Sequence, residues 1–170
     1  MNIDFVNILE HITPIDNFEL KWRFIYERYD KLREKDLELI KPLDKEASNF
    51  LNEFIVKSNL HKDFPFEKDF FQTVEEATIS DGNEEEIKTW LFNRGLSLVK
   101  NVFLSWDVNN SLIVPWEILI KYFDSFYYPS SDDLTVFDQS LNWALLFFHE
   151  DRIYFGTKKD LKIDEINAYL

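Results

Sequence analysis

The chain has 170 residues, 45% of them hydrophobic, and carries 32 Asp and Glu against 19 Lys and Arg, a formal net charge of −13. That is the size of one ordinary domain, taken here as residues 1–170, and 17 Phe with only five Pro and three Gly favour an aromatic core over a flexible linker. The acidity argues against nucleic-acid or anionic-membrane contact, because phosphate binding needs clustered Lys and Arg. The absence of Cys excludes disulfides and thiolate metal sites and fits a reducing cytosol. Met1 to Thr13 lacks the pattern of a signal peptide, and no run approaches the roughly 20 apolar residues that cross a bilayer, so a cytoplasmic protein is expected.

In chain order, a short helix is expected over Asp4 to His11, while the alternation of Phe18, Leu20, Trp22 and Phe24 equally suits the start of a strand. A second short helix is expected over Glu34 to Lys41. After Pro42, Asp44 is an N-cap candidate, and Ala47, Phe50, Leu51, Phe54 and Ile55 recur at the spacing of a buried helix stripe. Asn83 with Glu86 three residues on suggests a capping box; Ile87, Trp90 and Leu91 form the apolar face behind it, and Gly95 suits a left-handed helix end.

The second half has the pattern of a sheet. Leu98 to Leu104 leads through the turn-rich Asp107, Val108, Asn109 and Asn110 into Leu112 to Val114, a hairpin. Pro115 opens an amphipathic helix over Trp116 to Phe126. Leu134 to Phe137, Trp143 to Phe148 and Arg152 to Phe155 are three further strands, the middle one apolar on both faces and therefore central, and a helix over Asp160 to Tyr169 closes the chain. These elements give an α+β fold: a mainly helical N-terminal half packed on an antiparallel sheet formed by the C-terminal half.

The charge is localised. Asp69 to Ile87 and Tyr122 to Asp151 contain no Lys or Arg but hold seven and six acids, and elsewhere acids and bases cancel. In the second window Tyr127 and Tyr128 stand beside Asp132 and Asp133, a combination of rigid aromatic area and carboxylate acceptors suited to a basic protein partner. The same tyrosines also suit an inward-packed helix end. With Asp138 they form one candidate partner-binding set, and Glu75, Glu76, Asp81, Glu84, Glu85 and Glu86 form a second if the fold brings the windows together. For Glu84 to Glu86, complementing the dipole of the helix they open is the preferred reading over a binding role.

No catalytic signature is present: HExxH, P-loop, GxGxxG and GxSxG are all missing. His149 beside Glu150 and Asp151 has the makings of a proton carrier, or of a solvated turn histidine. Asp132, Asp133 and Asp138 offer oxygen ligands for Mg²⁺ or Ca²⁺ without the spacing of a calcium loop, and a turn after Pro129, Ser130 and Ser131 that begins a strand explains the same residues with less. No metal or cofactor is expected.

The order Lys21-Trp22-Arg23-Phe24, then Asp36-Leu37-Glu38-Leu39-Ile40-Lys41-Pro42-Leu43, then Trp116 through Tyr128-Pro129-Ser130-Ser131-Asp132-Asp133, and finally Trp143-Ala144-Leu145-Leu146-Phe147-Phe148-His149-Glu150 closing on Tyr154-Phe155-Gly156, resembles small bacterial proteins of uncharacterised families, many of them similar to immunity proteins. The resemblance implies a non-enzymatic protein, encoded beside a polymorphic or contact-dependent growth-inhibition toxin, that binds the cognate toxin domain and occludes its active site. A cationic nuclease is the partner the charge suits. Two alternatives stand beside it: a metal-dependent hydrolase using surface carboxylates, and a broader acidic inhibitor or adaptor.

Overall fold

A computed structural model describes residues 3–26 and 32–158, so the helix expected at Asp160 to Tyr169 lies outside the described residues. Among the described residues seven strands form one antiparallel sheet: β1 (Lys41–Pro42), β2 (Thr73–Thr78), β3 (Asn101–Ser105), β4 (Ser111–Pro115), β5 (Leu134–Phe137), β6 (Trp143–Phe148) and β7 (Arg152–Thr157), in spatial order β1-β4-β3-β5-β6-β7-β2. The fold is α+β. Its division into halves is coarser than expected, because β1 and β2 fall in the N-terminal half and two helices are interleaved with the later strands.

Strand periodicity sorts the core into two layers. Val102, Leu104, Val136, Leu145 and Phe147 face one side of the sheet, where α4 (Glu84–Phe92), α5 (Trp116–Lys121) and α6 (Phe123–Phe126) bring Leu91, Trp116 and Phe123. Phe103, Ile113, Phe137, Ala144 and Leu146 face the other, covered by α3 (Lys45–Lys57) and by Leu60, Phe66 and Phe71 of the loop that follows it. β6 lies between β5 and β7 and is buried from both sides, as its unbroken apolar run requires. Asp44 caps α3 by accepting a bond from the Ala47 amide at 2.8 Å, and His11 donates its Nδ1–H to the same carboxylate, also at 2.8 Å.

The remaining differences have local causes. Asp4 Oδ1 accepts from the amides of Val6 and Asn7, and this side-chain turn leaves only a 3-10 helix at Ile8–His11. Trp22–Ile25 forms a single helical turn, α1, rather than a strand, and α2 is limited to Glu34–Leu37. Pro42 disfavours helix at Lys41, which is extended and pairs with Ile113. The capping box does not form: Asn83 Oδ1 instead accepts from Ser80 N and its Nδ2 donates to Thr78 O, both at 2.9 Å. Gly95 takes the expected left-handed φ, +81°. The helix after Pro115 breaks at Tyr122, whose hydroxyl donates to Asp36.

β2 has no counterpart among the expected elements. It pairs with β7 along six residues, Thr73 opposite Thr157 through Thr78 opposite Arg152, and forms one edge of the sheet. The two edges are blunted in different ways: β1 is two residues long and contains Pro42, while β2 carries Glu75 and Glu76 on opposite faces.

Candidate partner-binding surface

The two acidic windows meet at one end of the sheet, around the β6–β7 turn at His149, Glu150 and Asp151. From one side, Ile79 N donates to Asp151 O at 2.8 Å, tying the segment that leads into α4 to this turn. From the other, the Tyr127 hydroxyl donates to Phe148 O at 2.6 Å and accepts from Asp151 N at 3.2 Å. Ser130 N donates to His149 O, and both the backbone amide and the Nδ1–H of His149 donate to Asp133 Oδ1, at 3.1 and 2.8 Å. The partner of His149 is thus Asp133, not the adjacent Glu150 or Asp151 expected from the sequence.

Three residues assigned from the sequence to a partner surface lie inside the protein. Tyr127 is 1% exposed, and burial, the largest influence on its phenol, pushes the pKa up to about 12. Asp132 is 7% exposed and receives both terminal nitrogens of Arg23, Nη2 at 3.0 Å, together with the Tyr128 amide at 2.8 Å. Asp138 is fully buried; Lys100 Nζ lies 3.2 Å away, and Trp143 Nε1 and Ser140 N each donate at 2.9 Å. The cations that meet these carboxylates, Arg23 and Lys100, come from distant parts of the chain and are themselves buried. Tyr128 is half-buried, with the Arg23 guanidinium 4.5 Å from its ring centroid, so the helix end buries one ring and leaves the other partly open.

The surface that remains comprises Asp133 and Glu150 from the second window and all six candidate acids of the first. On β2, Glu75 bonds Arg94 at 2.7 Å and Glu76 bonds Arg152 at 3.2 Å, and Glu85 holds Lys88 at 2.8 Å. Among the described residues no cation lies within ion-pair distance of Asp81, Glu84, Glu86 or Glu150. Glu150 lies in the turn itself, and Asp81 follows two residues after Ile79, which is bonded to it. Glu84 and Glu86 also sit in the first turn of α4, so their helix-stabilising role holds alongside.

Asp133 also borders a cavity of about 710 Å³ on the α3 face, a feature the sequence does not announce. Its walls are Ile55 and Val56 of α3, Phe64, Trp106, Leu146 and Phe148; His61 and Thr135 are its polar interior. Burial is the largest influence on His61 and lowers its pKa, so the ring is neutral. A carbonyl only accepts, so Nδ1–H donates to Pro65 O at 2.8 Å and Nε2 accepts from the Thr135 hydroxyl at 2.9 Å. A base beside a hydroxyl is also the geometry of an activated nucleophile. Thr135, however, lies within β5, whose backbone is paired to β3 and β6 on its two sides, which commits the local amides to the sheet ladder rather than to an oxyanion.

Among the described residues no three His, Asp or Glu side chains are grouped to hold a metal, and no helix is long and apolar enough to cross a membrane. Two of the three carboxylates considered for a metal-dependent hydrolase, Asp132 and Asp138, are paired to buried cations instead. Compared with protein-family models, curated proteins and solved structures, the chain matches none.

Proposed function

We propose that this chain is an immunity-type inhibitor: an acidic binding protein that neutralises a cognate bacterial toxin domain, a cationic nuclease by preference, by covering its active site. One observation carries the reading: the two base-free windows join at the turn at 149–151, and Asp81, Glu84, Glu86 and Glu150 of these windows are exposed without an ion-pair partner among the described residues. A negative surface of this kind accelerates encounter with a basic protein and occupies the groove in which phosphates of a nucleic acid would lie. The resemblance of the chain to immunity proteins supplies the class of partner. No catalytic group of this chain takes part.

The test is growth of a bacterial host expressing the C-terminal domain of the gene product encoded immediately upstream, with and without this protein. Toxicity that this protein alone relieves is the expected result. A harmless neighbour, or failed rescue despite abundant folded protein, overturns the toxin reading and leaves a broader acidic adaptor as the next hypothesis.

A further inference from the structure

The cavity on the α3 face joins three kinds of chemistry. Its walls are aliphatic and aromatic, and two large apolar side chains at it are left uncovered, Phe64 at 58% exposure and Val56 at 65%. Phe64 is held in place by the rings of Phe148 and Tyr154, with centroids at 4.5 and 5.3 Å. Carboxylates border it, Asp63 and Asp133, the latter half-exposed at 55% while it holds His149. The groups that would oppose a cation are otherwise engaged. His61 is neutral with its N–H committed to Pro65 O, and Lys62 lies 3.4 Å from Glu67. The Thr135 hydroxyl, having donated to His61, retains acceptor capacity.

We propose that this cavity is an anchor pocket for one arginine side chain of the basic partner. The aliphatic stem would lie along Ile55 and Val56, the guanidinium plane against Phe64 and Phe148, and its N–H groups would donate to Asp133. Arginine fits these surroundings better than lysine: it is weakly hydrated, stacks on aromatic faces, and presents a planar fork to a carboxylate. The volume exceeds one side chain, which leaves room for the backbone flanking the anchor. Asp133 belongs both to this pocket and to the acidic end of the sheet, so a partner seated on that end has the pocket within reach of the same surface. A buried, aromatic-walled arginine is the kind of contact that dominates an interface, while the acids around it set the rate of encounter.

The inference rests on the basic-partner reading, and its test needs no partner. The full chain is titrated with N-acetyl-arginine methylamide and with the neutral isostere N-acetyl-citrulline methylamide, observing the Trp106 indole and the Phe64 ring by NMR. Saturable shifts with the arginine probe are expected, with citrulline binding about fivefold or more weakly. Phe64→Ala, at a position 58% exposed, and Asp133→Asn, each with folding checked by circular dichroism, should weaken the arginine probe about threefold to tenfold, while Glu84→Gln leaves it unchanged. Absence of saturation, equal binding of citrulline, or full affinity in Phe64→Ala and Asp133→Asn overturns the pocket. A failed titration alongside successful growth rescue removes the pocket alone; a positive titration alongside failed rescue removes the toxin reading alone.

Discussion

The two base-free windows are alike in composition and opposite in what the fold does with them. All seven acids of residues 69–87 are exposed, whereas Asp132 and Asp138 in residues 122–151 are buried and only Asp124, Asp133 and Glu150 are exposed. The difference arises outside the windows. Arg23, 109 residues before Asp132, and Lys100 on the approach to β3 are themselves buried and need carboxylates to offset their desolvation. A local excess of charge in a sequence therefore measures a surface only where no distant cation draws the carboxylate into the interior; Glu76 meets Arg152 across 76 residues and stays exposed. In this molecule the first window is surface, and the second is part surface and part internal brace.

The largest effect should come from removing an internal acid. Asp138→Ala removes the carboxylate that lies 3.2 Å from the buried Lys100 ammonium and also strips acceptors from Trp143 and Ser140, so a loss of about 3–5 kcal/mol is expected in chemical denaturation. Glu150→Ala, from the same window, should change stability by less than about 0.5 kcal/mol. A comparable loss in both would erase the division between brace and surface.

Arg23→Lys sharpens the comparison at the second brace. Lysine keeps the charge but cannot give Asp132 two nitrogens, reach Phe126 O and lie over Tyr128 at once, so a loss of about 1–3 kcal/mol is expected by thermal or urea unfolding. Wild-type stability in this variant would show that Asp132 needs only a positive charge nearby.

Outside both windows, Asp36 shows what a cation gathered from another element does to a carboxylate. The Lys121 ammonium, hydrogen-bonded at 2.7 Å, is the largest influence, followed by the Tyr122 hydroxyl, and together with Arg33 they hold the acid well below the usual carboxylate range despite its burial. The folded state thus binds this proton less readily than the unfolded state. Its stabilisation is fully present above the ordinary carboxylate pKa of about 3.9 and fades as pH falls through the depressed folded value. Asp36→Asn should lower stability near neutrality and flatten its dependence on pH below about 4, as read by urea midpoints across pH. An unchanged slope would mean that Asp36 is not among the groups that govern acid unfolding.

Much of the framework was legible from residue patterns. The α3 stripe, the β3–β4 hairpin and the two-sided apolar run of β6 are all strong periodic signals backed by burial. β2 escaped because Thr73–Thr78 has no apolar alternation: as an edge strand with both faces open it needs none, and its Thr and Val residues gave only a weak hint. Of the candidate surface, the exposed acids of the first window were readable from composition. The burial of Asp132 and Asp138 was not, since it depends on long-range pairing with Arg23 and Lys100. His61 carried no local signal either. Its role comes from a loop carbonyl four residues away and a strand hydroxyl 74 residues away.

The most direct test of the central claim is the association rate with the purified toxin domain across ionic strength, for wild type and for a variant carrying Asp81→Lys, Glu84→Lys, Glu86→Lys and Glu150→Lys. Removal of the exposed field while the internal pairs stay intact should cost only the first-turn contribution of Glu84 and Glu86 to α4, about 1–2 kcal/mol, slow association by about tenfold or more at low salt, and flatten its salt dependence. Equal on-rates and equal salt slopes for the two proteins would contradict the account.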